Sequence, residues 1–332
     1  MACKKVMTTS RFKAYMACEQ RHAYRYTEHW EEVLRGPALL VGTCLHIGME
    51  AWWGTRDAKE AVLETQRASK EEGLLEEYPY LATQAAALVA LYCEVWAEDE
   101  WETIEVEKEF VAPMPDPAFG GTYKDWMIAG KIDVIVRHKK TGHYYLMDHK
   151  TANQDVSDGS VYWQKLLFDP QISMYHIGAK HLGYDIKGFI YDVIRKPTTK
   201  PRIKTPEDKI KYKKNGEPYA NMYLEDETQE SYGKRILEAI SESIPNYYRR
   251  KIFTRSPQEL QRFNSEIVTV ARRLDIYDKT GLTPLRNAGA CSSFGRACPY
   301  IEACGGGNIE LVKGIEKKEP FTELDTVDGA KD

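Results

Sequence analysis

The sequence lacks the continuous apolar run of about 20 residues that a membrane-spanning helix requires, and it lacks a recognisable secretory signal. We therefore expect a cytoplasmic protein with no membrane partner, in a compartment where thiols stay reduced. It also lacks a Gly-x-x-x-x-Gly-Lys-[Ser/Thr] segment, so we expect no ATP-driven motor in this chain. Internal repeats and low-complexity tracts are absent too, which excludes a solenoid or a fibrous array.

The chain has little net charge. Its 46 Lys and Arg residues against 50 Asp and Glu give −4 over 332 residues, a balance that does not by itself indicate nucleic-acid binding. The charge is uneven, however, because residues 195–214 carry nine Lys or Arg and only two acids. Such a local basic patch is compatible with a nucleic-acid groove, and the alternative is a solvated loop. The prolines in the segment predict an extended or flexible insertion.

The most informative stretch is Asp148-His149-Lys150, which ends the apolar run 144–147. A second strand-like run, 130–136, contains Asp133. Because side chains alternate along a strand, Asp148 and Lys150 share one face and His149 points away. The polar link 138–143 contains a glycine and predicts a hairpin, which would bring Asp133 close to Asp148.

Two carboxylates at that separation repel each other unless a cation lies between them. Mg²⁺ is satisfied by one or two carboxylates together with water and substrate phosphate, and it lowers the pKa of a bound water. An ammonium group from Lys150 beside this ion could activate the water or stabilise the transition state. The pattern therefore predicts a phosphodiester-cleaving site, and the alternative is a surface hairpin with incidental charges.

At these residues the sequence resembles a known family. Gly130-Lys131-Ile132-Asp133 followed by Asp148-His149-Lys150-Thr151 is similar to the motif of the PD-(D/E)XK nuclease superfamily, in its RecB-like branch with the CRISPR-adaptation and phage exonucleases. The resemblance implies an α/β (α+β) fold with a restriction-endonuclease-like core, in which helices flank a mixed sheet. It further implies a helical N-terminal part and a C-terminal cysteine cluster. The predicted order of elements matches the αβββαβ core of that family.

Two further motifs extend the resemblance. A Gly-x-x-x-His pattern at Gly42 to His46 makes His46 a metal ligand by analogy, and a Gln-x-x-x-Tyr pattern provides Gln171 and Tyr175. The second motif opens a helix that Asp169 can cap, which puts Gln171 and Tyr175 on one face. They are expected to orient Lys150 or to contact the DNA backbone. The alternatives are a solvated first-turn glutamine and a core tyrosine.

The site implied by the resemblance holds Mg²⁺ or Mn²⁺, and the imidazole ligand favours Mn²⁺ somewhat. The implied metal ligands are His46, Asp133, Asp148 and the backbone carbonyl of His149. The implied catalytic residues are Asp133, Asp148, Lys150, Gln171 and Tyr175. An acid on the first strand, either Glu107 or Glu109, contacts a second metal or faces solvent.

The chain has seven cysteines, and three of them fall within a short loop rich in glycine and proline that cannot bury much core. These are Cys291, Cys298 and Cys304, and Cys18 is the best candidate for a fourth ligand. One N-terminal and three C-terminal cysteines resemble the iron–sulfur branch of these nucleases, which implies a structural [4Fe–4S] cluster. The Cys291–Cys298 spacing is looser than the Cys-x₂-Cys step of that branch. The alternatives are Zn²⁺ on four cysteines and cysteines without a ligand.

The remaining cysteines show no partner pattern. Cys44 and Cys93 are predicted to be small core residues on helices, and Cys3 is predicted to be a mobile terminal thiol.

We predict five regions. Residues 1–102 form a helical region with Cys18 and His46, 103–196 the nuclease core, 197–225 a basic insertion with a short strand, 226–315 the C-terminal helices and cysteine loop, and 316–332 a disordered tail. Predicted helices cover 8–18, 37–53, 57–72, 79–100, 158–182, 226–251 and 256–275. Predicted strands cover 103–112, 127–137, 143–149, 187–194 and 219–224.

The functional expectation is a metal-dependent DNA exonuclease acting in recombination, repair or processing of DNA ends, with endonuclease action on single strands left open. Its expected partners are single-stranded DNA or duplex ends, and a helicase or recombinase. The oligomeric state is open. The resemblance favours a phage enzyme, in bacterial or phage-infected host cytosol. The alternative is a non-cleaving DNA-binding or assembly factor with zinc in place of the cluster.

Overall fold

The computed structural model describes residues 5–33, 35–293 and 296–319. The strands in these ranges are β1 Lys5–Met7, β2 Trp30–Glu32, β3 Trp101–Pro115, β4 Thr122–His138, β5 Tyr144–Ala152, β6 Ile186–Arg195, β7 Tyr248–Phe253, β8 Ser292–Ser293, β9 Arg296–Ala297 and β10 Ile315–Lys317. The α-helices are α1 Thr9–Ala17, α2 Glu19–His22, α3 Pro37–Thr55, α4 Ala58–Glu71, α5 Leu74–Glu77, α6 Pro79–Val95, α7 Val161–Leu166, α8 Pro170–His181, α9 Gln229–Ser241, α10 Pro257–Thr280 and α11 Ile301–Cys304.

A six-stranded mixed sheet forms the centre of the molecule. The order β1-β4-β5-β6-β7 runs across it, and β3 pairs with the other edge of the long strand β4. The pairs β3–β4, β4–β5 and β6–β7 are antiparallel, whereas β1–β4 and β5–β6 are parallel. The parallel β5–β6 pair needs a crossover, which α7 and α8 provide. This is the α–β–β–β–α–β order expected from the sequence.

Each face of the sheet carries its own apolar core. One face packs against α1, α8 and α10, with Phe110, Ile128 and Leu146 among its buried residues. The opposite face packs against α3, α4, α6 and α9, with Met147 and Ile190 among them. Because Leu146 and Met147 are adjacent on β5 and serve different cores, this strand is covered on both sides, as its unbroken apolar run predicts.

A small module joins the two ends of the described chain. Strand β10 pairs antiparallel with β2, and the hydroxyl of Tyr300 donates a 2.6 Å hydrogen bond to the carbonyl of Trp30. Trp30, Tyr300 and Ile315 form a third buried cluster, separate from the two cores of the sheet. The segment around Cys18 and the cysteine loop are therefore held near each other by contacts between protein residues.

Several sequence predictions need correction. The predicted helix 158–182 is two helices, because Pro170 disfavours a helical conformation at Asp169, whose ψ is 119°. The predicted helix 226–251 ends at Ser241 and is followed by strand β7, since Pro245 interrupts the pattern. Residues 219–224, predicted as a short strand, form turns and bends, and only an isolated bridge between Tyr212 and Pro218 occurs in that insertion.

Two predictions concern the chain ends. The predicted disordered tail begins too early, because Ile315–Lys317 form strand β10. The rest of that tail, 320–332, lies outside the described residues, as does Cys3. Cys44 and Cys93 are both buried in the core, as predicted. In the part of the chain that the structure describes, no helix combines the length and apolar character needed to cross a membrane.

Candidate active site

Strands β4 and β5 diverge where the two aspartates lie. Their pairing runs from Arg137 opposite Tyr144 to Val134 opposite Met147, so Asp133 and Asp148 would form the next pair. Instead, Oδ2 of Asp133 accepts a 2.8 Å hydrogen bond from the backbone N–H of His149. The carboxylate of Asp133 thus takes the position that a strand carbonyl would fill, and it reaches across to the adjacent strand.

The Asp148 carboxylate is nearly completely buried, and both of its oxygens have partners. Oδ2 lies 2.6 Å from Nζ of Lys150, and Oδ1 accepts a 2.6 Å hydrogen bond from Nε2 of Gln171. The amide oxygen of Gln171 in turn accepts a 3.0 Å hydrogen bond from Nζ of Lys150. The three side chains form a closed ring of contacts, which fixes the ammonium against the carboxylate.

The first turn of α8 presents Gln171 to this ring. Asp169 caps the helix by accepting a hydrogen bond from the backbone N–H of Gln171 at 2.9 Å, and Lys13 lies 2.8 Å from the same carboxylate. The guanidinium of Arg255 donates hydrogen bonds to the carbonyls of Leu167 and Asp169 at 2.7 and 3.3 Å. Gln171 therefore begins a helix whose entry is held by hydrogen bonds from the segment before α10 and by an ion pair from α1.

His46 lies on α3, on the other side of Asp133. Its Nδ1 is 3.7 Å from Oδ2 of Asp133. Burial, together with the neighbouring His149 and the charge of Lys150, lowers the pKa of His46 to about 3. The imidazole is therefore neutral at physiological pH, and a neutral ring nitrogen is what metal coordination requires.

The charges of the site are strongly coupled. Burial and the adjacent Asp148 raise the pKa of Asp133 well above its ordinary value, because two carboxylates in a low-dielectric site disfavour double ionisation. Burial alone would lower the pKa of Lys150, but the charges of Asp148 and Asp133 outweigh it and the pKa is raised. Lys150 is therefore an ammonium at neutral pH.

His149 points to the opposite face of β5. Its side chain is 2 % exposed, its Nδ1 lies 3.4 Å from Oδ2 of Asp192, and its ring packs against Trp53 and Tyr92. Asp192 is fully buried and also receives the guanidinium of Arg250 at 3.1 Å. This network holds β5 and β6 together directly behind the site.

The network around Asp192 was not predicted from the sequence. A signal for it was present, because Asp192 is a single acid inside the apolar run 189–194, and a buried carboxylate needs a cationic or hydrogen-bonding partner. That partner, Arg250, lies on β7, a segment that the sequence pattern had indicated to be helical.

Tyr175 occupies the core on the Gln171 side of the sheet. Its ring makes an edge contact with Phe110 at 5.6 Å between centroids, and it is 9 % exposed. It also lies against Gly130, where the Cβ of any larger residue would come within 2.8 Å of the tyrosine ring. The Gly130 of the motif thus gives this ring room beside β4.

The acids on β3 lie beside Lys131. Glu107 forms an ion pair with Lys131 and adopts a positive φ of 51°, at the point where β3 faces Asp133. Glu109 is the register partner of Lys131. Burial and the charge of Glu107 both raise the pKa of Glu50 on α3.

The donor set fits a hard divalent cation. The carboxylates of Asp133 and Asp148 and the neutral imidazole of His46 lie near each other where β4 and β5 separate. Burial and repulsion from Asp148 raise the pKa of Asp133, and a cation would relieve that repulsion. Within residues 5–33, 35–293 and 296–319, however, no group of three or more His, Cys, Asp or Glu side chains is placed so that it could hold a metal ion. At Asp148, both carboxylate oxygens contact Lys150 or Gln171.

The four predicted cluster cysteines line one cavity of about 390 Å³ between α2, the 286–291 segment and α11. These are Cys18, Cys291, Cys298 and Cys304. Burial and the charges of the other three thiols raise the pKa of Cys304, and the charge of Arg286 partly opposes this shift. Four thiols that line one cavity are a donor set of the kind that binds zinc or an iron–sulfur cluster.

Known proteins share this geometry at the level of the fold. A model of the PD-(D/E)XK nuclease superfamily matches residues 6–305. The crystal structure of a "putative exonuclease" from Eubacterium rectale covers 98 % of this chain and 94 % of its own, with 13 % identity and a TM-score of 0.50. At that identity the likeness concerns the fold alone.

A second solved structure, that of SSO0001, covers 61 % of this chain and 74 % of its own at 13 % identity, with a TM-score of 0.22 that is too low to indicate a shared fold. No curated protein sequence matches the chain. The family model, by contrast, runs from β1 into the turn after α11, so it includes both the sheet and the cysteine loop. The predicted restriction-endonuclease-like core is confirmed, and the chain belongs to the PD-(D/E)XK nuclease superfamily.

Proposed function

We propose that this protein is a metal-dependent DNA exonuclease that hydrolyses phosphodiester bonds during recombination, repair or processing of DNA ends. The observation that carries the proposal is the convergence of Asp133 and Asp148 at the point where β4 and β5 separate, with the Lys150 ammonium 2.6 Å from one carboxylate oxygen. A charged lysine beside two acids is costly to bury and serves phosphate chemistry well.

The chain's own residues have separable roles in this proposal. Asp133, Asp148, His46 and the carbonyl of His149 would hold Mg²⁺ or Mn²⁺, which supplies a water of lowered pKa and neutralises charge on the phosphate. Lys150, kept protonated by the acids, stabilises the negative charge that develops on the attacked phosphate. Gln171 holds Lys150 and Asp148 in register through its amide.

The charge of the chain limits how it contacts DNA, and the cysteine cavity supports a structural cluster. The low net charge of the chain excludes a uniformly basic surface, so contact with DNA depends on local cationic side chains. The four-cysteine cavity supports a [4Fe–4S] cluster, because its volume of about 390 Å³ exceeds what one ion needs; Zn²⁺ is the competing occupant. Either one would fasten α2 to the C-terminal loop.

The proposal is tested by incubating end-labelled linear DNA and closed circular single strands with Mg²⁺ or Mn²⁺. We expect linear substrates to lose nucleotides from their ends, and Lys150→Ala and Asp133→Ala to abolish this loss while keeping the fold. Lys140→Ala, an exposed lysine in the β4–β5 turn, is the matched control. Equal cleavage of circles would identify an endonuclease, and DNA binding without any cleavage would identify a non-cleaving factor.

The cluster is tested separately. Protein purified without air is assayed for iron, acid-labile sulfide and zinc, and its absorption spectrum is recorded. We expect about four irons and four sulfides per chain. One zinc per chain in a colourless protein would instead establish the competing metal.

A further inference from the structure

A large groove lies beside the active-site end of β5. Its volume is about 600 Å³, and it runs between the first turn of α3, the start of α6 and residues 196–201. The lining residues used below are Pro37, Tyr78, Leu81, Lys196, Lys200 and Tyr232, and we call this space the lysine groove. Its volume falls in the range of ligand sites rather than of packing defects.

The groove is close to the proposed chemistry. Asn153, which lines it, is three residues beyond Lys150, so the chain can separate them by at most about 11 Å. The backbone N–H of Lys196 donates a 2.7 Å hydrogen bond to the carbonyl of Ala152 at the end of β5. The groove therefore begins at the end of β5 that carries Lys150.

The two lysines of the groove outnumber its one lining acid, Glu77. Nζ of Lys196 donates a 3.4 Å hydrogen bond to the carbonyl of Ala38, and among the described residues neither Lys196 nor Lys200 forms an ion pair with a carboxylate. By contrast, two lysines farther along the same insertion, Lys204 and Lys213, pair with glutamates at 3.5 Å. Glu77 is the acid that lines the groove. The excess positive charge therefore complements a polyanion.

The walls of the groove are apolar and aromatic. Tyr78 is 36 % exposed, and Pro37 and Leu81 contribute further apolar surface. A cationic rim with an aromatic wall is the arrangement that binds unpaired bases by stacking and their phosphates by charge. A duplex presents no free base faces, so this combination favours a single strand.

We infer that the lysine groove binds the single-stranded part of the DNA substrate next to the scissile phosphate, with Lys196 and Lys200 on phosphates and Tyr78 against a base. The inference rests on the proposed nuclease function and adds the substrate class, an unpaired strand end. Lys200 lies in the insertion after β6 and Tyr78 at the α5–α6 junction, outside the motifs that carry Asp133, Asp148 and Lys150.

The charge component is tested by binding a labelled single-stranded oligonucleotide to the full chain without added divalent cation, at several salt concentrations. We expect Lys196→Gln/Lys200→Gln to lower the affinity and to reduce the slope of log K against log salt by about 1.4, since each lost contact with a single strand contributes about 0.7. Lys209→Gln/Lys214→Gln removes the same charge from the same insertion outside the groove, and it should change the slope little.

The stacking component is tested by Tyr78→Leu and Tyr78→Phe. Loss of the ring should weaken binding about tenfold, whereas the phenylalanine variant should bind as the wild type does. If Tyr78→Leu unfolds, because Tyr78 lies between α5 and α6, the lysine pair still decides the question. Thermal melting of each variant identifies that case.

Three results would overturn the inference. The first is equal loss of affinity in both lysine pairs, which would indicate a general charge effect. The second is an unchanged slope in Lys196→Gln/Lys200→Gln. The third is full competition by a free deoxynucleotide monophosphate, with affinity independent of strand length, which would indicate a nucleotide pocket. In each of these cases, cleavage of DNA ends by the wild-type protein would still support the proposed nuclease function. If the wild type binds single strands in the groove but cleaves no DNA, only the proposed nuclease function is refuted.

Discussion

The amide nitrogen of Gln171 donates a 2.6 Å hydrogen bond to Oδ1 of Asp148, and its amide oxygen accepts one from Lys150. A single neutral side chain thus contacts both charged members of the motif. A primary amide can donate to the carboxylate through its nitrogen and accept from the ammonium through its oxygen, which suits a glutamine at the start of α8. The arrangement makes Gln171 a positioning residue and leads to the first prediction.

Gln171→Leu should lower the rate of DNA cleavage by about a hundredfold, because loss of the amide frees Lys150 and Asp148 to move by an ångström or so. Gln171→Glu should also be poor, since a carboxylate repels Asp148. Steady-state cleavage of labelled DNA measures the effect, and circular dichroism checks the fold. Gln164→Leu on the exposed face of α7 is the control. Wild-type rates in Gln171→Leu would show that the amide has no part in the chemistry.

Asp192→Asn should destabilise the protein by about 3 kcal/mol, because it leaves the buried Arg250 guanidinium with one carboxylate fewer. Urea unfolding followed by tryptophan fluorescence gives this free energy. Glu230→Gln removes an exposed helical ion pair with Lys234 and should leave the midpoint unchanged. An Asp192→Asn variant as stable as the wild type would mean that this network contributes nothing to folding.

Gly178→Ala should cost about 1 to 3 kcal/mol of stability, since its new Cβ would lie 2.4 Å from Cδ2 of Phe110. The better helix propensity of alanine cannot offset that overlap. Gly54→Ala in α3 meets no atom within 4 Å, so it should stabilise the protein by about 0.5 to 1 kcal/mol. We expect the melting temperature to fall in Gly178→Ala and to rise in Gly54→Ala. Equal signs would contradict the close packing of Phe110.

Stability should fall on acidification through the titration of Asp275. Burial alone would raise its pKa, but hydrogen bonds from Lys5, Trp126 and Tyr123 lower it below the ordinary value of 3.8. Because the folded-state pKa is the lower one, the contribution is complete above about pH 4 and is lost as the pH falls toward the folded value. Asp275→Asn should flatten the stability curve between about pH 4 and 2. An unchanged slope in that variant would assign the acid loss to other groups.

Removal of one cluster thiol should weaken the C-terminal module. Cys298→Ala leaves three thiols at the cavity, so we expect loss of bound metal, a lower melting temperature and weaker DNA binding together. Cys93→Ala, a buried cysteine on α6, should keep the full metal content. A Cys298→Ala protein with unchanged metal and stability would show that this thiol is not a ligand.

The catalytic strands could be predicted from sequence because their signals are local. The apolar run before Asp148 and the glycine-containing turn before Tyr144 fix a hairpin and its register. The break between α7 and α8 had a local signal, because Pro170 follows the capping residue Asp169. It was nevertheless predicted as one helix, because the residues on both sides have a helical pattern. Strand β7 was missed because its consecutive basic residues, Arg249, Arg250 and Lys251, interrupt the apolar alternation that predicts a strand.

The long-range partners could not be read in this way. Asp192 and Arg250 are 58 residues apart, and nothing in either segment indicates that they pair across β6 and β7. The same holds for the lysine groove, which brings together α3, α6 and the basic insertion. The insertion's composition predicted a cationic segment, but only the three-dimensional arrangement distinguishes lysines that face acids from those that do not.

The pairing of β2 with β10 has a consequence for synthesis of the chain. Trp30 is translated well before its strand partner Lys317, which follows the whole central sheet in the sequence. Strand β2 therefore has no strand partner, and Trp30 remains exposed, until β10 has been synthesised. A chain without β10 would leave β2 and Trp30 without their strand partner, and the third buried cluster, which includes Tyr300 of the cysteine cavity, would be incomplete.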